Sequence, residues 1–198
     1  MSEWLAAMYD PLMAPLAPLG LRRWREWATR AARGRTLEVG VGTGQNLPLY
    51  RGERAAIFVT AIDPDGASLS RARERRNESA RFVSLQQARA EALPFADESL
   101  DTVIATLAFC TIGDPAGALR EVRRVLKTGG AFRLVEHVRV HNRPIAALQE
   151  VLTPLWTHVA GGCHLNRDTL AAVEQAGFRV RGVRQLFGGL VIGIDAIK

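Results

Sequence analysis

Short apolar runs recur along this chain, separated by stretches of helical periodicity. Ala56–Asp63 (AIFVTAID), Phe82–Ala88 (FVSLQQA), Leu100–Phe109 (LDTVIATLAF) and Ala131–Val138 (AFRLVEHV) each read as a strand, preceded by a shorter run that ends at Glu38. Between them fall a helix from about Leu21 to Arg33 and an Arg-rich helix after Asp63–Asp65. The next helix has Asp114 as its cap and Pro115 in its first position, and Gly129–Gly130 are expected to stop it after Lys127. A longer helical region carries Leu148, Val151, Leu152, Leu155 and Trp156, and Asn166 is expected to cap a last helix that runs to Gly177. Two strand-like runs, Phe178–Phe187 and Leu190–Lys198, close the chain with only Gly188–Gly189 between them, an antiparallel hairpin. Five β/α units and a terminal hairpin predict one doubly wound α/β sheet, seven strands in the order 3-2-1-4-5-7-6 with strand 7 antiparallel and helices on both faces.

Residues 2–33 are different in texture, mixing tryptophans, leucines, methionines and prolines. Pro11, Pro15 and Pro18 break the middle, leaving one helix before Pro11 and the second from Leu21. Trp4, Leu5 and Met8, and again Leu21, Trp24 and Ala28, fall at helical spacing. Such stripes are read first as core packing; a lid over the active site, or a surface that dips into lipid headgroups, is the alternative. The division expected is a helical lid or cap at 1–34 and a globular domain at 35–198.

Composition narrows the setting. With 198 residues and 47% hydrophobic content, the chain can bury a full core without staples. Two cysteines, Cys110 and Cys163, are too few for a disulfide framework and fit a reducing compartment. Nothing at the start reads as a signal peptide and no uncharged apolar run reaches transmembrane length, so a cytoplasmic protein is expected, with peripheral membrane contact open through the N-terminal segment. The net charge of +6 comes from 26 basic and 20 acidic residues. The arginines are scattered or sit on predicted helix faces, as Arg71, Arg73, Arg75 and Arg76 do, so nucleic acid is not an expected partner. No metal site is expected either, since adjacent Cys163–His164 lacks ligand spacing.

The chemistry starts at Leu37–Tyr50, LEVGVGTGQNLPLY. An acid, Glu38, closes a strand, and Gly40, Gly42 and Gly44 follow at two-residue spacing. Glycines there permit a tight turn and let a ligand lie against backbone. Asp63, 23 residues after Gly40, stands at the tip of the second strand, where an acid reaches ribose hydroxyls; its other reading is a helix cap, a role Asp65 serves equally well. A dinucleotide fingerprint fails because Gln45 occupies the third glycine position, and no Gly-Lys-Ser/Thr forms a P-loop.

The arrangement E-x-G-x-G-x-G resembles motif I of the class I S-adenosylmethionine-dependent methyltransferases, whose domain is Rossmann-like. Asp63 matches their ribose-binding acid, RAEALPF their adenine-side loop, and LKTGGAFRLVEH the strand after the active site. TLAFC, GGAFRLVEHV, GGCHLNRDT and the final AGF are similar to the microsomal alkyl-thiol methyltransferases and their bacterial relatives, themselves related to the methyltransferases of ubiquinone, menaquinone and phosphatidylethanolamine synthesis. The Tyr9–Asp10 pair resembles a Tyr-Asp near the start of the quinone-type enzymes. The resemblance implies S-adenosyl-L-methionine as cofactor, S-adenosyl-L-homocysteine as product, and a small-molecule acceptor with a thiol favoured. Cofactor contacts would come from Glu38, Gly40, Gly42, Gly44, Asn46, Asp63, Pro64, Ala90, Glu91, Thr106 and Leu107. One departure is clear: Arg89 stands where the quinone-type enzymes have an aspartate, and arginine cannot accept from the adenine amine.

The acceptor pocket is expected over the ends of strands four and five. Phe109, Cys110, Glu136, His137, Trp156, Cys163, His164 and Asn166 are its candidates, with Tyr9 closing it. With a thiol acceptor, His137 or His164 would take its proton or stabilise the anion; a structural hydrogen-bonding role is the other reading of each, and Cys110 reads as a small buried side chain. Asn166 is first a helix cap, and the helix N-terminus it caps would favour an anionic acceptor. A phospholipid headgroup, quinone or other metabolite is the alternative acceptor, and a cofactor-binding subunit that activates a partner without turnover is a further reading.

Overall fold

The computed structural model describes residues 20–50, 57–76 and 82–198. One seven-stranded sheet runs in the order β3-β2-β1-β4-β5-β7-β6, as the run pattern predicts. Its strands are β1 (Arg35–Val39), β2 (Phe58–Asp63), β3 (Val83–Gln87), β4 (Leu100–Thr106), β5 (Leu126–His137), β6 (Arg179–Leu186) and β7 (Val191–Ile197). The first five are mutually parallel, and β7 pairs antiparallel with both β5 and β6. The helices are α1 (Arg22–Thr29), α2 (Gly66–Arg75), α3 (Pro115–Val125), α4 (Arg143–Val159) and α5 (Thr169–Gln175).

Alternation along the central strands serves two cores. Val103 and Ala105 of β4 join Leu134 of β5, α3 and α5 on one face, while Ile104 and Val135 turn to α1 and α2 on the other. A parallel strand covered on both faces needs apolar residues at every position, which is why these runs do not alternate with polar ones. The stripe of Leu21, Trp24 and Ala28 is core packing: Leu21 and Ala28 are buried, and Trp24 packs against that core. Arg133 of β5 lies 4.4 Å over the Trp27 ring and pairs with Asp195 of β7 at 3.2 Å, pinning α1 to the sheet. The helix expected before Pro11, the Trp4–Met8 stripe and Tyr9 lie outside the described residues.

Three boundaries differ from expectation, each for a local reason. α3 ends at Val125, before Gly129–Gly130, because Leu126 is buried and already pairs with Leu100 in the sheet. The two glycines instead form an irregular stretch inside β5, where Gly129 N donates to Lys198 O and Lys198 N donates to Gly130 O, each at 3.1 Å. β4 stops at Thr106, not Phe109, because Leu107 takes a positive φ of 56° and breaks the strand. The cap of α5 is Asp168, whose side chain accepts from Ala171 N, not Asn166.

α4 is built inside out. Its buried face is Ala146, Gln149 and Thr153, and its apolar residues Ile145, Leu148, Val151, Leu152 and Leu155 face outward, Val151 with 76% of its surface exposed. Gln149 holds the helix down by accepting from Val140 N and donating to the carbonyls of Val138 and Leu165. No helix among the described residues is long and apolar enough to cross a membrane.

Phe132 is fully buried between Phe109, with ring centroids 5.9 Å apart, and Phe178, at 4.9 Å. Phe132→Ala is therefore expected to lower the free energy of unfolding by about 3–5 kcal/mol, measured by urea denaturation.

Candidate active site

The crevice lies at the carboxyl ends of β1, β2 and β4, where the strand order reverses. Gly40, Gly42 and Gly44 all have positive φ, and two of them do different jobs. A Cβ on Gly44 would meet Leu47 Cδ1 at 2.8 Å and Ala72 Cα at 3.0 Å, so that glycine lets the turn press onto α2. A Cβ on Gly42 would meet nothing within 4 Å. Gly42 therefore opens onto the crevice, and its N–H donates to Asp63 Oδ2 at 2.9 Å.

Beneath the turn is a buried polar network. Asn46 Nδ2 donates to Glu38 Oε1 at 2.9 Å and to Thr106 Oγ1 at 3.0 Å. Arg25 of α1 donates to Asn46 Oδ1 and Thr106 Oγ1, both at 3.0 Å. Burial pushes the Glu38 carboxyl up to about 7, against the pull of its hydrogen bonds and of the Arg25 charge. Tyr50 sits beside it, close enough for each group to shift the other's proton affinity, yet neither Glu38 Oε2 nor the Tyr50 hydroxyl has a formed hydrogen bond. Arg25 was not among the expected site residues. Its signal was its position, on the same helical stripe as Leu21 and Ala28, where a buried arginine needs polar partners.

Asp63 is buried at the tip of β2, and burial raises its pKa. Asp65, not Asp63, caps α2 by accepting from Ser68 N, so the cap reading of Asp63 falls away. Gln87 Nε2 donates to Pro64 O and Ala88 N to Asp63 O, so the 88–93 loop lies against this end of β2. Ala90 is buried there, while Arg89 points outward and meets Glu91 Oε1 at 3.5 Å. Arg124 and Glu121 of α3 fasten the loop through the Leu93 and Phe95 backbone.

The second half of the site is the segment after β4, gripped from both sides. Glu136, fully buried, accepts from the N–H groups of Ala108, Phe109 and Cys110 at 3.0, 3.0 and 3.2 Å. Arg167 donates to the carbonyls of Phe109 and Ile112. Glu136 thus shapes the β4 exit rather than lining a pocket, and burial lifts its carboxyl to about 7. Arg167 was missed in the sequence although it lies in GGCHLNRDT. Asn166 donates to Glu150 of α4 at 2.7 Å; with Asp168 as the cap and α5 only seven residues long, the expected anion site at that helix end is withdrawn.

His137 and His164 do come together with the cysteines. His164 N donates to Cys110 O at 2.8 Å, and His137 Nδ1 lies 3.8 Å from Cys163 Sγ. His164 Nδ1 is 2.8 Å from Gly162 O; a carbonyl only accepts, so the proton sits on Nδ1 and Nε2 keeps its lone pair. No cluster of three metal-ligating side chains occurs among the described residues.

A glycine turn open at Gly42, a half-satisfied buried carboxylate at its base and an acid on the next strand tip could hold a nucleoside cofactor that carries an amino group. Glu38 Oε2 suits the ammonium of a methionine moiety, and the oxygens of Asp63 each retain a lone pair for a ribose hydroxyl. The comparisons agree with that chemistry. A methyltransferase-domain family matches residues 37–134. The chain is 38% identical over 148 residues to thiol S-methyltransferase TMT1B of Rattus norvegicus, a match covering 72% of this chain and 59% of that protein. It is 40% identical over 121 residues to phosphatidylethanolamine N-methyltransferase of Cereibacter sphaeroides, covering 60% of this chain and 58% of that one. The crystal structure of an S-adenosylmethionine-dependent methyltransferase from Mesorhizobium loti superimposes with a TM-score of 0.69 at 16% identity, covering 91% and 98% of the two chains, a likeness of fold. The chain belongs to the class I S-adenosylmethionine-dependent methyltransferases. It spans about six tenths of the length of these two curated relatives.

Two predictions follow from the geometry. Gly44→Ala should cost about 2–4 kcal/mol of stability through strain and overpacking, whereas Gly42→Ala should cost about 1 kcal/mol yet weaken S-adenosylhomocysteine binding about tenfold or more, read by calorimetric titration. The raised carboxyls set a pH dependence. Their folded pKa of about 7 exceeds the ordinary 4.5, so the folded chain holds these protons more tightly than the unfolded one. The stability they lend is complete below that ordinary value and drains as pH rises through about 7, by up to about 3 kcal/mol per group. Urea unfolding should show this decline between about pH 5 and about pH 8, with a flatter slope in Glu38→Gln.

Proposed function

We propose that this chain transfers the methyl group of S-adenosyl-L-methionine to the sulfur of a small, partly apolar thiol. The observation that carries the choice of sulfur is the setting of Cys163 at the β4 and β5 ends: His137 Nδ1 lies 3.8 Å from its sulfur, and the Cys110 thiol, His137 and Trp156 all favour its thiolate. The similarity to TMT1B supports the same reading.

When bound, the cofactor supplies a methyl carbon on a sulfonium and leaves as a neutral thioether. The chain's part is to orient and to manage one proton. Glu38 and Asn46 hold the methionine end beside the open Gly42 turn, and Asp63 with Pro64 holds the ribose. Ala90 and Glu91 flank the adenine, with Arg89 turned to solvent. Thr106 and Leu107 present the β4 exit toward the methyl, held in shape by Glu136 and Arg167. His164, with its lone pair on Nε2, takes the acceptor's proton, and its thiolate attacks in line. A cytoplasmic location suits the two free thiols.

One observation favours a second acceptor class. The outward apolar face of α4 adjoins the same pocket through Trp156, and such a face suits an acceptor presented on a lipid surface, as a phosphatidylethanolamine headgroup would be. Incubation with methyl-labelled cofactor and either an alkyl thiol or phosphatidylethanolamine vesicles separates the two. Label in the thiol is expected, falling about 10²–10⁴-fold in His164→Gln. Label only in the lipid would overturn the thiol assignment.

A further inference from the structure

The two cysteines belong to different loops, one leaving β4 and the other following α4. The bond from His164 N to Cys110 O, 2.8 Å long, pairs the two backbones, so residues 110 and 163 stand side by side. A disulfide closes without moving the chain when the Cα atoms stand roughly 4.4–6.8 Å apart, a spacing that adjoining backbones allow. Gly162 keeps the loops tight: a Cβ there would lie 3.5 Å from Thr111 Cγ2. The two thiols lie near enough for each to shift the other's proton affinity.

The pair is unequal. Cys110 is buried, next to the Glu136 carboxylate, and both its burial and its bond to Cys163 hold it as the thiol. Cys163 is partly open, and its sulfur has the Cys110 thiol, His137 and Trp156 around it, all favouring the thiolate over the opposing effect of burial. One accessible thiolate near one buried thiol is the arrangement of an attacking and a resolving cysteine.

We propose that Cys163 and Cys110 form an oxidisable pair that takes hydroperoxides and, once joined, closes the acceptor pocket. The Cys163 thiolate attacks the distal oxygen of the hydroperoxide; an S–O bond forms, the O–O bond breaks, and the alkoxide or hydroxide leaves and takes up a proton from water. Sulfur loses two electrons and the peroxide gains them. Cys110 then attacks Cys163 Sγ, forming S–S and breaking S–O, and hydroxide departs with the Cys110 proton as water. The sulfur at the centre of His137, Trp156 and Cys110 is thereby withdrawn from the pocket. Two small thiols reverse the closure by exchange, leaving as their own disulfide. On the thiol reading of the previous subsection, the acceptor is thus also the reductant that reopens its site.

The full chain treated with hydrogen peroxide tests this without reference to turnover. Titratable thiols after unfolding should fall from two to none, intact mass should drop by the two thiol hydrogens, and dithiothreitol should restore both. Cys110→Ser should instead accumulate a sulfenic acid at residue 163 that dimedone traps, and Cys163→Ser should keep its remaining thiol. The oxidised protein should still bind S-adenosylhomocysteine, and with a thiol acceptor it should start with a lag that prior reduction removes. Two free thiols after peroxide, or a disulfide between chains on a non-reducing gel, would overturn the pair. A disulfide with no lag would overturn the closure. If no thiol is ever methylated, the function assigned above fails while the thiol count and mass still decide this proposal.

Discussion

A carboxylate buried at the tip of β1 is the constraint on which the cofactor end of this molecule depends. Glu38 gives up its hydration in full, and the compensation comes from three separate parts of the chain: Asn46 from the turn, Thr106 from β4 through Asn46, and Arg25 from α1. Removing one partner from such a network leaves another buried polar group unmet, which costs more than the bond it made. The network thereby locks the glycine turn, the β4 exit and α1 into one arrangement. Two buried oxygens there have no formed hydrogen bond, Glu38 Oε2 and the neighbouring Tyr50 hydroxyl.

The acceptor end follows a similar logic with different atoms. Leu107 in a left-handed conformation turns the chain sharply after β4, and the exposed amides and carbonyls that result are taken by Glu136 on one side and Arg167 on the other. Holding that short segment from both sides brings Cys110 near Cys163, whose sulfur lies 3.8 Å from His137 Nδ1. The chemistry of the pocket is therefore set by backbone hydrogen bonds made by residues that never face it.

Much of the fold was legible because sheet burial leaves a strong trace. Apolar runs of strand length, one-residue caps such as Asp114, and the Gly188–Gly189 link specify order and direction with little competition. The cofactor turn was legible for the same reason, since few residues other than glycine tolerate its backbone. What escaped were side chains whose roles depend on long-range partners. Arg25 reads as one more basic residue until α1 docks over β4. Asn166 and Asp168 are both good caps, and only the docking of α4, which draws Asn166 to Glu150, decides between them. The outward apolar face of α4 shows the limit of periodicity: the stripe is visible, but which side it faces is decided by Gln149, whose amide serves three backbone groups at once.

The claim that ties these parts together is that the Glu38–Gly44 turn holds the methionine end of S-adenosyl nucleosides. Thermal unfolding with S-adenosylhomocysteine tests it most directly, because a ligand that binds only the folded chain at a hundred times its dissociation constant adds about 2.7 kcal/mol of stability. The expected result is a saturable rise in melting temperature with S-adenosylhomocysteine and none with NAD. No rise, or an equal rise with NAD, would contradict the account.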